Sequence, residues 1–202
     1  MSILQKTMNF FKPKNLTFLW EEFANEKQGT LKSESGDLFV QYKCGSFNCR
    51  IGNYTHYINS GGNSYERKFM TGIVEFQNPS KFGLLITKED FLTEIGKIFN
   101  GKDITIGNKI FDSKFNIKSN KELQTKIILK NKELLEQILE INPTRIEITN
   151  NDGLFNEMPS KGKYMIYYAK QEDFSEINQL KQIDRLFITI LNSLKNNCSI
   201  IE

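Results

Sequence analysis

One histidine, His56, is all the imidazole that the 202 residues contain. A Ser-His-Asp or Cys-His catalytic set must use it or fail, and a metal site built on two histidines is excluded. His56 falls between Tyr54 and Ile58 on an expected strand, where a hydrogen-bonded surface role is commoner than that of a general base. The three cysteines, Cys44, Cys49 and Cys198, lack the close paired spacing of structural zinc sites even with His56 added. Cys44 and Cys49 flank a candidate hairpin turn, and their spacing permits a local disulfide without requiring one. Met1 to Lys6 lacks the basic start and continuous apolar middle of a signal peptide, so a cytoplasmic chain with free thiols is expected. No apolar run approaches the ~20 residues that span a bilayer. Neither a G-x-x-x-x-G-K-[ST] loop nor a G-x-G-x-x-G turn occurs, which removes the usual phosphate cradles. No cofactor and no metal are therefore expected.

What the chain does have is apolar and aromatic bulk: 39% hydrophobic residues and 16 phenylalanines, ample for a folded interior. At this length one compact unit over residues 15–202 is expected, preceded by an arm over 1–14. The net charge of +3 is small, and lysines alternate with acidic residues rather than gathering in a block. Specific nucleic-acid binding is not expected.

Read in order, the pattern gives helix, antiparallel strands and helix, twice. A helix runs from Asn15 or Thr17 towards Gly29, with Trp20 and Phe23 on its core side. Alternation over Leu38–Lys43 and Phe47–Ile51 makes a hairpin about Gly45-Ser46, and Gly52-Asn53 predicts a bulge or bend before Tyr54–Ile58. A turn at Asn59–Asn63 leads to a strand over Tyr65–Phe76, then a short one over Leu84–Ile86. Thr87 is expected to cap a helix that ends at Asn100-Gly101. In the second half Phe115 and Ile117 mark a strand, and Ser119-x-x-Glu122 fits a capping box for a helix reaching Ile141. Its stripe comprises Leu123, Ile127, Leu134, Ile138 and Ile141, with an interruption at Lys130-Asn131. Arg145–Thr149, Gly153–Met158 and Lys163–Ala169 read as a second meander, and Asp173-x-x-Glu176 opens the last helix. The expected fold is α+β, with antiparallel meander sheets and packed helices, in two similar halves over 15–101 and 102–202.

The phrase Gly107-x-x-x-Phe111-Asp112-x-x-Phe115-x-Ile117-x-Ser119 resembles a G-x-x-x-F-D-x-x-F-x-V-x-S segment of uncharacterised bacterial domains, in which a helix also follows. The resemblance covers Ile104 to Leu139 and, more loosely, Trp20 to Gly29. It implies no activity.

Two function classes follow. Carboxylates alone, among them Glu75, Asp112 and Glu147, could support a small hydrolase or transferase. Asp112, beside Phe111 and Phe115, is the first to examine, although a cap or turn is its commoner role. The favoured reading is a binding or protein-interaction module. Tyr54, His56, Tyr57 and Arg67, in the aromatic strands between Phe39 and Phe76, are the candidate binding residues, with Asp112 as an outlying fifth. A protein partner is expected to dock on an exposed aromatic sheet face.

Overall fold

Nine antiparallel strands form one sheet in the computed structural model, which describes residues 16–60, 63–88, 102–155, 157–198 and 200. In chain order the elements are α1 (Thr17–Glu26), β1 (Thr30–Glu34), β2 (Asp37–Cys44), β3 (Phe47–Ser60), β4 (Asn63–Phe76) and β5 (Leu84–Lys88). They continue with β6 (Lys102–Ile104), α2 (Lys109–Asp112), β7 (Phe115–Ser119), α3 (Glu122–Ile128), α4 (Lys132–Ile141), β8 (Arg145–Thr149), β9 (Tyr164–Gln171) and α5 (Ile177–Cys198). The strand order is β1-β2-β3-β4-β9-β8-β5-β7-β6. The fold is α+β, as the pattern of strands and amphipathic helices requires. Among the described residues no helix is long and apolar enough to cross a membrane.

The register sorts side chains onto two faces, because residues opposite one another across an antiparallel pair point the same way. Val40, Cys49, Ile51, Met70, Val74, Ile166, Tyr168, Ile146, Ile148 and Ile86 belong to the inner face, where one core cluster also holds buried apolar side chains from every described helix. α5 lies centrally, touching α1, α3, α4 and strands β2 and β3. Trp20, expected in the core, is buried with its ring centroid 4.5 Å from that of Phe174. The outer face carries a smaller cluster of Phe69, Leu154, Met165, Tyr167 and Ala169, with Tyr54, Ile73 and Phe155 packed against it.

The structure corrects several local expectations. β3 runs without a bulge from Phe47 to Ser60, its ladder with β4 unbroken from Asn48↔Glu75 to Ser60↔Asn63. Gly52 is instead a place of close approach: a Cβ there would stand 2.7 Å from Phe39 Cβ and 2.8 Å from the Leu38 carbonyl oxygen. Gly153 to Met158 is no strand; the backbone turns at Leu154 and Phe155, and Gly153 lies against the Tyr167 ring. Ser119 does not cap a helix. It ends β7, and its buried hydroxyl donates to the Gly83 carbonyl at 2.6 Å and accepts the Lys121 amide at 3.0 Å. α3 starts at Glu122 without a side-chain cap. Leu123 and Ile127 are exposed, and α3 buries Thr125 and Ile128 instead. Asp173 spends its carboxylate on Lys68, while Gln179 Oε1 accepts the amides of Ser175 and Glu176 before α5. Thr87 lies within β5, donating to the Thr144 carbonyl; the helix expected after it, the 1–14 arm and Gly61-Gly62 lie outside the described residues. The first meander also stops at β4, because β9 and β8 lie between β4 and β5 and so interlace the two halves in one sheet.

Candidate binding site

β3 and β4 outrun their neighbours. The last β2 pairing on β3 is Phe39↔Gly52, and the last β9 pairing on β4 is Phe69↔Gln171, although β3 and β4 remain paired with each other to Ser60↔Asn63. Asp37 closes the β2 side. Its carboxylate accepts the Thr55 amide at 3.1 Å, the Thr55 hydroxyl at 3.0 Å and the Asn53 side-chain amide at 3.0 Å, and Asn53 Oδ1 accepts the Leu38 amide at 2.7 Å. Beyond this stop the hairpin is a two-stranded ribbon.

Three of the residues singled out in the sequence share the outer face of this ribbon. Tyr54 stacks on Phe155 with centroids 4.2 Å apart, His56 lies 5.4 Å from the same ring, and Phe69 meets it edge-on at 4.8 Å. Arg67 is the register partner of His56, which places both on that face. Tyr57 points to the opposite side and is 65% exposed, and Tyr65, opposite Ile58, is 47% exposed. Burial, then the carboxylates of Glu157 and Asp37, raise the Tyr54 phenol above its ordinary pKa. Asp112 is remote from this group. At the β6–β7 end of the sheet its carboxylate accepts the amides of Ile106 at 3.1 Å and Gly107 at 2.9 Å, while Asn108 caps α2 through the amides of Ile110 and Phe111. That is a loop-closing role.

Next to the ribbon, the outer face of β2–β4 is a half-open groove of about 620 Å³. Its floor is Gln41, Lys43, Asn48, Arg50, Ile73 and Glu75, and its walls are the Gln28–Thr30 and Glu157–Met158 segments. A hollow of about 250 Å³ adjoins it, sharing Arg50 and Glu157 and reaching Tyr54 and Phe155. Both carboxylates of the groove have protein donors. Glu75 takes the Ser160 amide at 2.8 Å and its hydroxyl at 3.0 and 2.9 Å, and Glu157 takes the Phe155 amide at 3.1 Å. The Glu75 bonds tie Ser160 to the sheet, while the Glu157 bond is local to its own neighbour. Arg50 differs: its guanidinium carbon lies 4.2 Å over the Phe39 ring centroid, and among the described residues its side chain meets no carboxylate or other acceptor.

The carboxylates weighed from sequence do not converge. Glu147 is buried in an ion pair with Arg145, at 2.6 and 2.8 Å, and Glu75 and Asp112 are held as described. Beside Glu147 in the register, the buried Tyr167 hydroxyl has no hydrogen-bond partner among the described residues, and burial pushes its pKa well up. Cys44 and Cys49 are free and buried, and among the described residues no group of three His, Cys, Asp or Glu side chains could hold a metal ion. Phe155 and Glu157, which the sequence reading placed on a strand, had one visible signal, the turn-rich Asn150-Asn151-Asp152-Gly153 before them. No family model, no curated protein and no solved structure matches the chain.

Proposed function

We propose that this protein is a non-catalytic cytoplasmic binding module that engages a protein partner through the β3–β4 ribbon. The observation that carries the reading is the ribbon itself: two strands beyond the last β2 and β9 pairings, with Tyr57 and Tyr65 in solvent. A two-stranded hairpin is marginal by itself in water, and unpaired edges are templates for an added strand. A partner strand on either edge would satisfy backbone groups while tyrosines on both faces supply contact area. Tyr54, His56 and Arg67 would read the partner on one face and Tyr57 on the other, and Asp112 has no part in it. Specific nucleic-acid binding is not part of the proposal, since Lys43 and Arg50 share their groove with Glu75 and Glu157. The double variant Tyr57→Ser, Tyr65→Ser tests the reading by comparison with wild type in affinity capture. A specifically captured protein should be lost while the thermal midpoint stays unchanged; undiminished capture would overturn it.

One observation favours a second reading, a carboxylate-dependent hydrolase or transferase: Glu75 and Glu157 line the same groove. Against it stands the donation each already receives, which ties Glu75 to Ser160 and Glu157 to the Phe155 amide. Turnover of chromogenic esters or glycosides that disappears in Glu157→Gln would favour the enzyme.

A further inference from the structure

The groove carries an inference separate from the ribbon. We infer that it binds a small organic acid, with the ligand carboxylate taken by Arg50 and its apolar, ring-bearing part lying towards Met158 and Phe155.

Arg50 is a fixed and unspent donor. The contact with Phe39 holds its charge in place, and half-burial on the sheet removes part of its water, yet among the described residues no acceptor compensates it. Elsewhere on the same face the chain treats an arginine differently, since buried Arg145 has Glu147 on two of its nitrogens. A guanidinium offers a planar fork that matches a carboxylate in paired hydrogen bonds, which a point charge cannot do. The groove's own carboxylates do not compete for that fork, because Ser160 and Phe155 occupy them. Lys43 stands on the same floor with a long 3.5 Å contact to the Ser46 carbonyl, and adds a second cation within the groove. Ile73 in the floor, exposed Met158 in the wall and the Tyr54–Phe155 stack in the adjoining hollow give the remainder of a ligand apolar contacts. A volume of about 620 Å³ suits a small molecule rather than a folded partner.

Two lysine and arginine charges face two glutamates in the groove, so its selectivity must come from the local fork rather than from a long-range positive field. Binding should therefore depend on salt only weakly, unlike attraction to a basic patch.

Benzoate and benzamide, alike in shape and different in charge, serve as probes in a titration followed by amide chemical shifts of the full chain. Benzoate should shift resonances of Gln41, Asn48, Arg50 and Ile73 saturably in the millimolar range, and benzamide should not. Arg50→Gln should weaken benzoate by about ten-fold or more, the loss expected for a charge-assisted hydrogen-bonded contact. Arg50→Lys should retain part of the affinity, and a dispersed amide spectrum of Arg50→Gln itself shows that its loss is not a failure to fold. Equal response to the two probes, no saturable shift with benzoate, or unchanged benzoate affinity in folded Arg50→Gln would each overturn the assignment.

Discussion

Asp184 on α5 is buried, one oxygen accepting the Tyr42 hydroxyl at 2.9 Å and the other 2.6 Å from the Lys27 ammonium. The three groups tie α5, β2 and the exit of α1 together on the inner face. Removing one partner of such a set leaves the others uncompensated, which costs about 3–5 kcal/mol for a fully buried pair. Lys27 keeps 24% of its side chain in solvent, so Asp184→Ala should fall at or below the lower end, at roughly 3 kcal/mol by urea denaturation. A loss under about 1 kcal/mol would mean that water replaces the carboxylate. Gly72 makes a second test: a Cβ there would stand 2.7 Å from Phe187 Cζ and 2.9 Å from Cε2. Gly72→Ala should cost about 1–3 kcal/mol, and adding Phe187→Leu should recover part of it. Neither contact was legible in the sequence. Asp184 reads there as one of two polar positions, with Arg185, between Ile183 and Phe187, and its partner Tyr42 lies 142 residues away.

At the scale of elements, the break before α4 was legible because a local bond makes it, whereas the local Gln179 bonds before α5 were not. Asn131 was marked as an interruption, and its side chain accepts the Leu134 amide at the start of α4. Asn131→Ala should cost about 1 kcal/mol and loosen amide protection in α4 first. Ser119-x-x-Glu122 has the letters of a capping box, but a buried bond to Gly83, 36 residues earlier, outcompeted the helix for the hydroxyl. Ser119→Ala should still lose about 1 kcal/mol, because the Lys121 amide loses its acceptor and the Gly83 carbonyl keeps only the longer bond from the Asn120 amide. Hydrogen exchange separates the two causes, because the loosened amides should lie at Gly83 and Asn120 rather than in α3. Leu123 and Ile127 were misplaced for a related reason: a 3.6-residue period carried back across the break at Lys130-Asn131 assigns α4's face to a helix with another orientation.

For the whole molecule, most strands were legible and their order was not; β1 and β6 were not read from the sequence, and the strand read at Gly153–Met158 is absent. Period-2 alternation over Arg145–Thr149 gives a strand's span, but nothing local tells it to pair with β5 and β9. The ribbon was likewise invisible as a ribbon, since its isolation depends on where β2 and β9 end. Three buried tyrosines give the molecule a common pH response. Burial raises the phenols of Tyr42, Tyr167 and Tyr168 well above their ordinary range, so the folded state keeps protons that the unfolded chain releases. Stability from these groups is complete below the unfolded pKa of about 10 and falls as pH rises beyond it, by about 1.4 kcal/mol per pH unit for each proton difference. Denaturant midpoints between neutral and strongly alkaline pH should decline on this side; a flat profile past the ordinary tyrosine range would contradict the burial.

Site-directed photo-crosslinking inside the cell tests most directly the claim that the ribbon is where the protein meets its partner. A photoreactive phenylalanine analogue replaces Tyr57 or Tyr65 in turn, and exposed Phe18 on α1 and Leu123 on α3 as controls. The account predicts the same discrete protein adduct at both ribbon positions and none at the controls. An adduct at Phe18 or Leu123 with none at Tyr57 and Tyr65 would contradict it.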